Sequence, residues 1–132
     1  MATIKRFYDL EAWKKARMLN LEIYKMTRAD AFKKDFILVD QVRRSSVSIM
    51  ANLAEGFGRK GNKEFLQFIS IAEGSLCELK SHLFISLDVE YITQPVFQKL
   101  FEMTEETQRI INGFAEYLKN SDLKGMKYSK NS

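Results

Sequence analysis

Two seams constrain what this chain can fold into. Phe65, Ile69, Ala72, Leu76, Leu79 and Leu83 step along the sequence by 4, 3, 4, 3 and 4 residues. Phe97, Leu100, Thr104, Thr107, Ile111, Phe114 and Leu118 repeat the alternation, beginning with 3. A strand would bury every second residue, whereas steps of 3 and 4 place every member on one stripe of a helix. Stripes of this length match the buried seams of packed helices rather than a short surface helix. With one Pro and six Gly in 132 residues, little else in the chain interrupts helix.

The remaining segments are read around these seams. Asp9 is placed to cap a first helix over about 10–27, preceded by Tyr8. Leu10, Trp13, Ala16, Leu21, Ile23 and Tyr24 form its apolar face, with Arg17 and Asn20 inside that face and in need of polar partners. Met18, Leu19 and Met26 lie off it, which hints at a second contact surface. The polar stretch TRADAFKKD leads to a second helix over about 33–55, with Gly56 as its left-handed C-terminal cap. Phe36, Val39, Val42, Val47, Ile49, Met50, Leu53 and Ala54 form one face of that helix. Gln41, Arg44, Ser45, Ser48, Asn52 and Glu55 form another, small and hydrogen-bonding where a solvated face is rich in Lys and Glu. Such a stripe lets a neighbouring backbone come close, or is a plain polar surface.

Asn62 is placed to cap the third helix, 63–88, in which Gly74-Ser75 suggests a closely packed neighbour. Thr93, with Pro95 in the first turn, starts the fourth. These elements predict an all-α, antiparallel up-down-up-down four-helix bundle over 1–119, with 120–132 as a flexible basic tail. The single Cys77 cannot form an internal disulfide, and no apolar run is long enough to cross a membrane. A cytoplasmic protein is the expectation.

Charge is unevenly spread. Residues 1–63 hold 14 Lys and Arg against 7 Asp and Glu, net +7, whereas 64–118 hold 3 against 9, net −6. The segment 119–132 is net +3. This asymmetry fits a surface for a polyanion, head-to-tail contact between subunits, or simply solvated faces. The inventory favours no enzyme and no bound cofactor. One histidine, His82, offers no two-histidine metal pair within the chain, and Cys77 has no neighbour in sequence to activate it. Glu55, Glu64, Glu73 and Glu78 are carboxylates on helices, where carboxylates are common. Gly56, Gly58 and Gly61 have the spacing G-x-G-x-x-G, but no strand precedes them as a dinucleotide fingerprint requires.

Phe7 to Trp13 reads F-x-D-L-x-x-W. Gln41, Arg44, Ser48, Asn52, Ala54, Glu55, Gly56, Gly58 and Arg59 form a second motif, Q-x-x-R-x-x-x-S-x-x-x-N-x-A-E-G-x-G-R. Glu64, Phe65, Phe68, Ala72, Gly74, Ser75, Glu78 and Leu79 form a third. Together these resemble the 23S rRNA-intervening sequence proteins over about residues 4–118. The resemblance implies a four-helix bundle, a homo-oligomer of pentameric type, and partners such as rRNA or another nucleic acid and a reverse transcriptase-like protein. The last follows from similarity to the accessory protein of diversity-generating retroelements. It brings no catalytic residue. Where the family commonly has Pro two residues before the Asn, this chain has Met50-Ala51-Asn52, which predicts a locally straighter helix.

The functional expectation is therefore a non-enzymatic, oligomeric accessory protein that contacts nucleic-acid backbone from a basic surface. Lys14, Lys15, Arg43, Arg44, Arg59, Lys60 and Lys63 are its candidate contacts, with Lys5 and Arg6 also available. Gln41, Arg44, Ser48, Asn52, Glu55 and Arg59 are the candidate subunit interface. The alternative is a homo-oligomeric protein scaffold with no nucleic-acid ligand, in which the basic first hairpin docks on the acidic second.

Overall fold

The computed structural model describes residues 4–121, and the expected tail lies outside the described residues from 122 onward. A short 3-10 turn, Phe7–Asp9, leads into α1 (Glu11–Thr27), α2 (Asp30–Lys33), α3 (Phe36–Gly58), α4 (Asn62–Asp88) and α5 (Gln94–Lys119). The four long helices form a closed square in which α1 touches α3 and α5, and α4 touches α3 and α5. Neighbours run antiparallel, as the chain-distant bonds show. Asn62 at the start of α4 bonds the end of α5, and Lys99 near the start of α5 meets Glu22 near the end of α1. The architecture is the helical bundle that the seams predict.

Both seams are buried as read. Phe65, Ile69, Ala72, Leu76, Leu79 and Leu83 are at most 1% exposed, and the seven seam residues of α5 at most 7%. Thr104 and Thr107 sit in the α5 seam without cost because each hydroxyl donates to a carbonyl of its own helix, Phe101 or Met103.

The faces of the first two long helices are rotated from the expected ones. In α1 the core stripe is Ala12, Ala16, Leu19, Ile23 and Met26, again stepping by 4 and 3, while Leu21 is 53% exposed. Leu19 and Met26, expected off the face, are core, because α1 wedges between α3 and α5 and both flanks of the stripe find a neighbour. Asn20 finds its partner in Ser46, 2.8 Å away. In α3 the core stripe is Leu38, Val42, Ser45, Ile49, Leu53 and Gly56, whereas Phe36 and Val47 are exposed. Buried Ser45 is tolerable because its hydroxyl donates to the Val42 carbonyl. The helix is continuous through Met50-Ala51-Asn52.

Helix ends also differ from expectation. Asp9 does not cap α1: its carboxylate accepts from Arg6 Nε at 2.9 Å, and Leu10 holds the extended cap position. The TRADAFKKD stretch is not merely polar, since Phe32 of α2 is fully buried against Tyr91. The second long helix begins at Phe36, where Asp35 caps it by accepting from the Leu38 N–H. Gly56 is not a C-cap. The helix runs on to Gly58, and the left-handed residue is Gly61 with φ 93°. Asn62 is the first residue of α4 rather than its cap, and its amide donates to the Leu118 and Ser121 carbonyls instead. Gly74 is exposed with no close neighbour, so the close approach expected there is made by Ser75 alone. Thr93 caps α5 as read.

Asp35 has a double role. One carboxylate oxygen caps α3, and the other accepts the Tyr91 hydroxyl at 3.0 Å, tying the α4–α5 link to the start of α3. That bond holds the Tyr91 proton and raises its pKa above the ordinary phenol value. Asp35→Ala removes the cap and leaves the phenol without its acceptor. The expected result is a loss of about 1–2 kcal/mol, read as a lower urea midpoint at constant m value. An unchanged midpoint would mean that water replaces both bonds.

Three glutamates are held by lysines in ion pairs that tie α5 to α1 and α4. Lys99, with Lys25, bonds Glu22; Lys80 bonds Glu105; and Lys15 bonds Glu106. In each case the hydrogen bond from lysine holds the carboxyl below the usual glutamate range.

Candidate functional site

The seven candidate nucleic-acid contacts do not form one patch. Arg43 turns inward: its Nε donates to Thr27 Oγ1 at 2.9 Å and its guanidinium lies 4.3 Å from the Tyr24 ring centre. It is a strap between α1 and α3. Lys15 likewise reaches α5, 2.8 Å from Glu106. Arg44 is exposed but paired with Asp40 on its own helix at 2.8 Å. Lys14 stands on the outer side of α1, with Glu11 3.7 Å away.

The other three lie together. Arg59, Lys60 and Lys63 occupy the α3–α4 turn, which the Asn62 bonds stitch to the end of α5. Lys119 is therefore at the same end of the bundle, as is the 3-10 turn, which packs on α1 and α3. Arg59 is engaged by Glu55 at 3.0 Å and lies over the Phe68 ring. Lys60 and Lys63 are exposed and have no ion pair among the described residues. Chain direction explains the grouping. Antiparallel packing brings the start of α1, the end of α3, the start of α4 and the end of α5 to one end, where the sequence is basic.

The expected interface stripe does run along α3, yet part of it is used inside the subunit. Ser75 of α4 donates to Ser48 Oγ at 2.8 Å, and Asn52 Nδ2 donates to both the Ser48 carbonyl and its hydroxyl. The small residues Ser48 and Ser75 thus bring α4 close to α3 within the subunit. Gln41, Arg44, Glu55 and Arg59 remain on the outside. Next along the same groove, His82 Nδ1 lies 3.3 Å from Ser45 Oγ.

Two further surfaces carry exposed apolar residues, the first of them hinted at by Met18. Arg17, Met18, Leu21 and Arg28 line a groove on α1 with Lys14 and Met50. Phe36 and Ile37 stand 81% and 80% exposed at the start of α3, with Ile85 of α4 and Val89 just after it beside Ile37. Met18, off the expected face, was the visible signal for the first. For the second, Ile37 and Ile85 lie off the apolar faces read for their helices, whereas Phe36 reads as part of one. Among the described residues no group of three or more His, Cys, Asp or Glu is placed to hold a metal ion, and no helix is long and apolar enough to cross a membrane.

The sequence profile of the 23S rRNA-intervening sequence proteins matches residues 8–113, most of the bundle. The chain belongs to that family. No functionally curated protein matches it. Its fold is also that of a crystal structure from Bacteroides thetaiotaomicron, described as a protein with unknown function from the S23 ribosomal protein family. That structure superposes with a TM-score of 0.72, covering 80% of this chain and 98% of its own, at 22% identity. At that identity the likeness speaks for the fold alone. Family membership and the square of four helices thus agree with each other and with the motifs at Phe7–Trp13, Gln41–Arg59 and Glu64–Leu79.

Proposed function

We propose that this family member is a non-enzymatic, cytoplasmic accessory protein that assembles with copies of itself and binds nucleic acid through backbone contacts. The observation that carries the reading is the basic end of the bundle. Lys60 and Lys63 have no acidic partner among the described residues, and Arg59, Lys119 and Arg6 lie at the same end. Exposed lysines with no ion pair among the described residues suit phosphate oxygens, which need charge and reach rather than shape. No motif for reading base edges accompanies them, so the preference expected is for structured RNA or duplex DNA by charge and form. Copies arranged around an axis repeat the lysine turn, and several weak contacts sum to useful avidity. A polymerase-type partner, of the kind a reverse transcriptase represents, belongs to the same reading as a second ligand of the assembled protein.

The test is fluorescence anisotropy with labelled structured RNA and duplex DNA in a salt series, with native mass measured on the same sample. Lys60→Glu combined with Lys63→Glu is expected to lower affinity at least about tenfold and to reduce the slope of log K against log salt by about 1.8. The oligomer mass should not change. Absence of binding by the wild-type oligomer at low salt overturns the nucleic-acid reading and leaves a protein scaffold. Loss of the oligomer in the double variant would place these lysines between subunits instead.

A further inference from the structure

We propose that the basic end of the bundle holds unpaired nucleotides, with a base stacked on the Tyr8 ring and neighbouring phosphates on Lys60 and Lys63. This inference rests on the proposed function. It adds to the charge contacts a preference for single-stranded segments, such as the loops of a structured RNA. Tyr8 stands 46% exposed on the 3-10 turn Phe7–Asp9, yet its ring is held in place. Phe7 meets it edge-on, with ring centres 5.3 Å apart, and Phe7 in turn meets Trp13 of α1 at 5.2 Å. Both Phe7 and Trp13 pack against the core. The Arg6 guanidinium lies over the Tyr8 ring at 5.0 Å, while its Nε donates to Asp9 at 2.9 Å. A ring fixed through its neighbours loses little further freedom when a base stacks on it.

Position joins this ring to the lysines. Among the described residues the 3-10 turn packs on α1 and α3. Tyr8 lies just before α1 begins, and Lys60 just after α3 ends at Gly58. Antiparallel packing of α1 and α3 brings those two points to one end of the bundle. Lys5, exposed and without an ion pair among the described residues, precedes the turn. The carboxylates of this end are largely engaged: Asp9 by Arg6, Glu11 by Lys14, Glu55 by Arg59 and Glu116 by Lys119. Glu64, in the first turn of α4, has no cationic partner among the described residues.

Arg59 repeats the arrangement of Arg6. Its guanidinium is bound to Glu55 and lies over the Phe68 ring at 5.0 Å, with the side chain 46% exposed. A carboxylate already answers the charge of each arginine, so what each offers a ligand is chiefly its flat face. Flat groups and unpaired lysines thus stand at the same end. Form then decides the ligand. In a duplex the base faces are stacked on one another, whereas an unpaired nucleotide offers a π-face together with its flanking phosphates. Stacking tolerates any base, which agrees with a chain that carries no motif for reading base edges.

Anisotropy with three labelled probes of equal length tests this: a mixed-sequence single strand, the same strand made abasic along its centre, and the duplex. Tyr8→Ala, with circular dichroism confirming the fold, is expected to weaken single-strand binding about tenfold. Its binding to the duplex and to the abasic strand should weaken by less than about twofold, because neither presents a free base. The slope of log K against log salt should not change, since no phosphate contact is removed. Tyr8→Phe keeps the ring and should bind as the wild type does. Should Tyr8→Ala fail to fold, the wild type alone decides, and must hold the natural strand about tenfold more tightly than the abasic one. Equal wild-type affinity for those two strands overturns the stacking and leaves the lysine contacts. So does Tyr8→Ala binding that is unchanged, or weakened equally on all three probes. A wild type that binds none of the probes at low salt overturns the stacking together with the nucleic-acid half of the proposed function.

Discussion

Phe65→Ala is expected to cost about 3–5 kcal/mol, the largest single loss among the substitutions considered. Phe65 is fully buried one turn into α4. Its ring meets Phe57 of α3 edge-on at 6.3 Å and Phe114 of α5 at 5.1 Å, so a single side chain joins three of the four long helices. Truncation removes the transfer free energy of the ring and leaves a hole among rigid aromatic neighbours that collapse poorly into it. Urea unfolding monitored by circular dichroism would show a lower midpoint at constant m value. A loss below about 1 kcal/mol would mean that α3 and α5 close over the gap, and that the aromatic contacts are not what sets this end of the bundle.

Gly56→Leu acts on the same site from the opposite direction. A Cβ at residue 56 would lie 2.7 Å from Phe65 Cδ1 and 2.8 Å from Phe68 Cβ. The ring edge can shift; Phe68 Cβ cannot, because it is fixed to the α4 backbone. A larger residue in place of a helical glycine gains up to about 1 kcal/mol of helix propensity, whereas overpacking costs about 1–3 kcal/mol and more for a long side chain. The clash wins, and a net loss of about 3 kcal/mol is expected in the same urea assay. Gly113→Ala is the internal comparison. It is an exposed helical glycine with no neighbour within 4 Å of a new Cβ, and should gain up to about 1 kcal/mol. If Gly56→Leu proved neutral, the close approach of α3 and α4 would not depend on the missing side chain. Combined with Phe65→Ala it should cost less than the sum of the two, since the hole admits part of the added side chain.

Both substitutions bear on function through position. Gly56 and Phe65 flank the turn that carries Arg59, Lys60 and Lys63, so their packing sets where those lysines point relative to Lys119. A shift of α4 against α3 would separate the basic groups without removing any of them.

How much of this was legible in the sequence depends on the local period. The α4 and α5 seams were readable residue by residue because each steps by 3 and 4 without a break over the length of its helix. The basic turn at Arg59–Lys63 was readable for the same reason: residues a few positions apart on a tight turn are neighbours whatever the fold. In α1 and α3 the apolar residues are spread more widely around the helix, so several rotations satisfied the period. Leu21, Phe36 and Val47 were assigned to the core, and Leu19 and Met26 were not.

By itself, the sequence determined the helical class, the two long seams, the Thr93 cap and the uneven charge, because propensity, periodicity and composition are local quantities. Tertiary structure decided the rest. It turned Arg43 inward to Thr27 and Tyr24, paired Lys15 with Glu106, and drew Ser48, held by Asn52, into the α3–α4 contact. It also left Met18 and Leu21 on one side and Ile37, Ile85 and Val89 on another without cover. A side chain's partner is set by which helix lies opposite it and at what rotation, and that follows from the packing of all four helices at once.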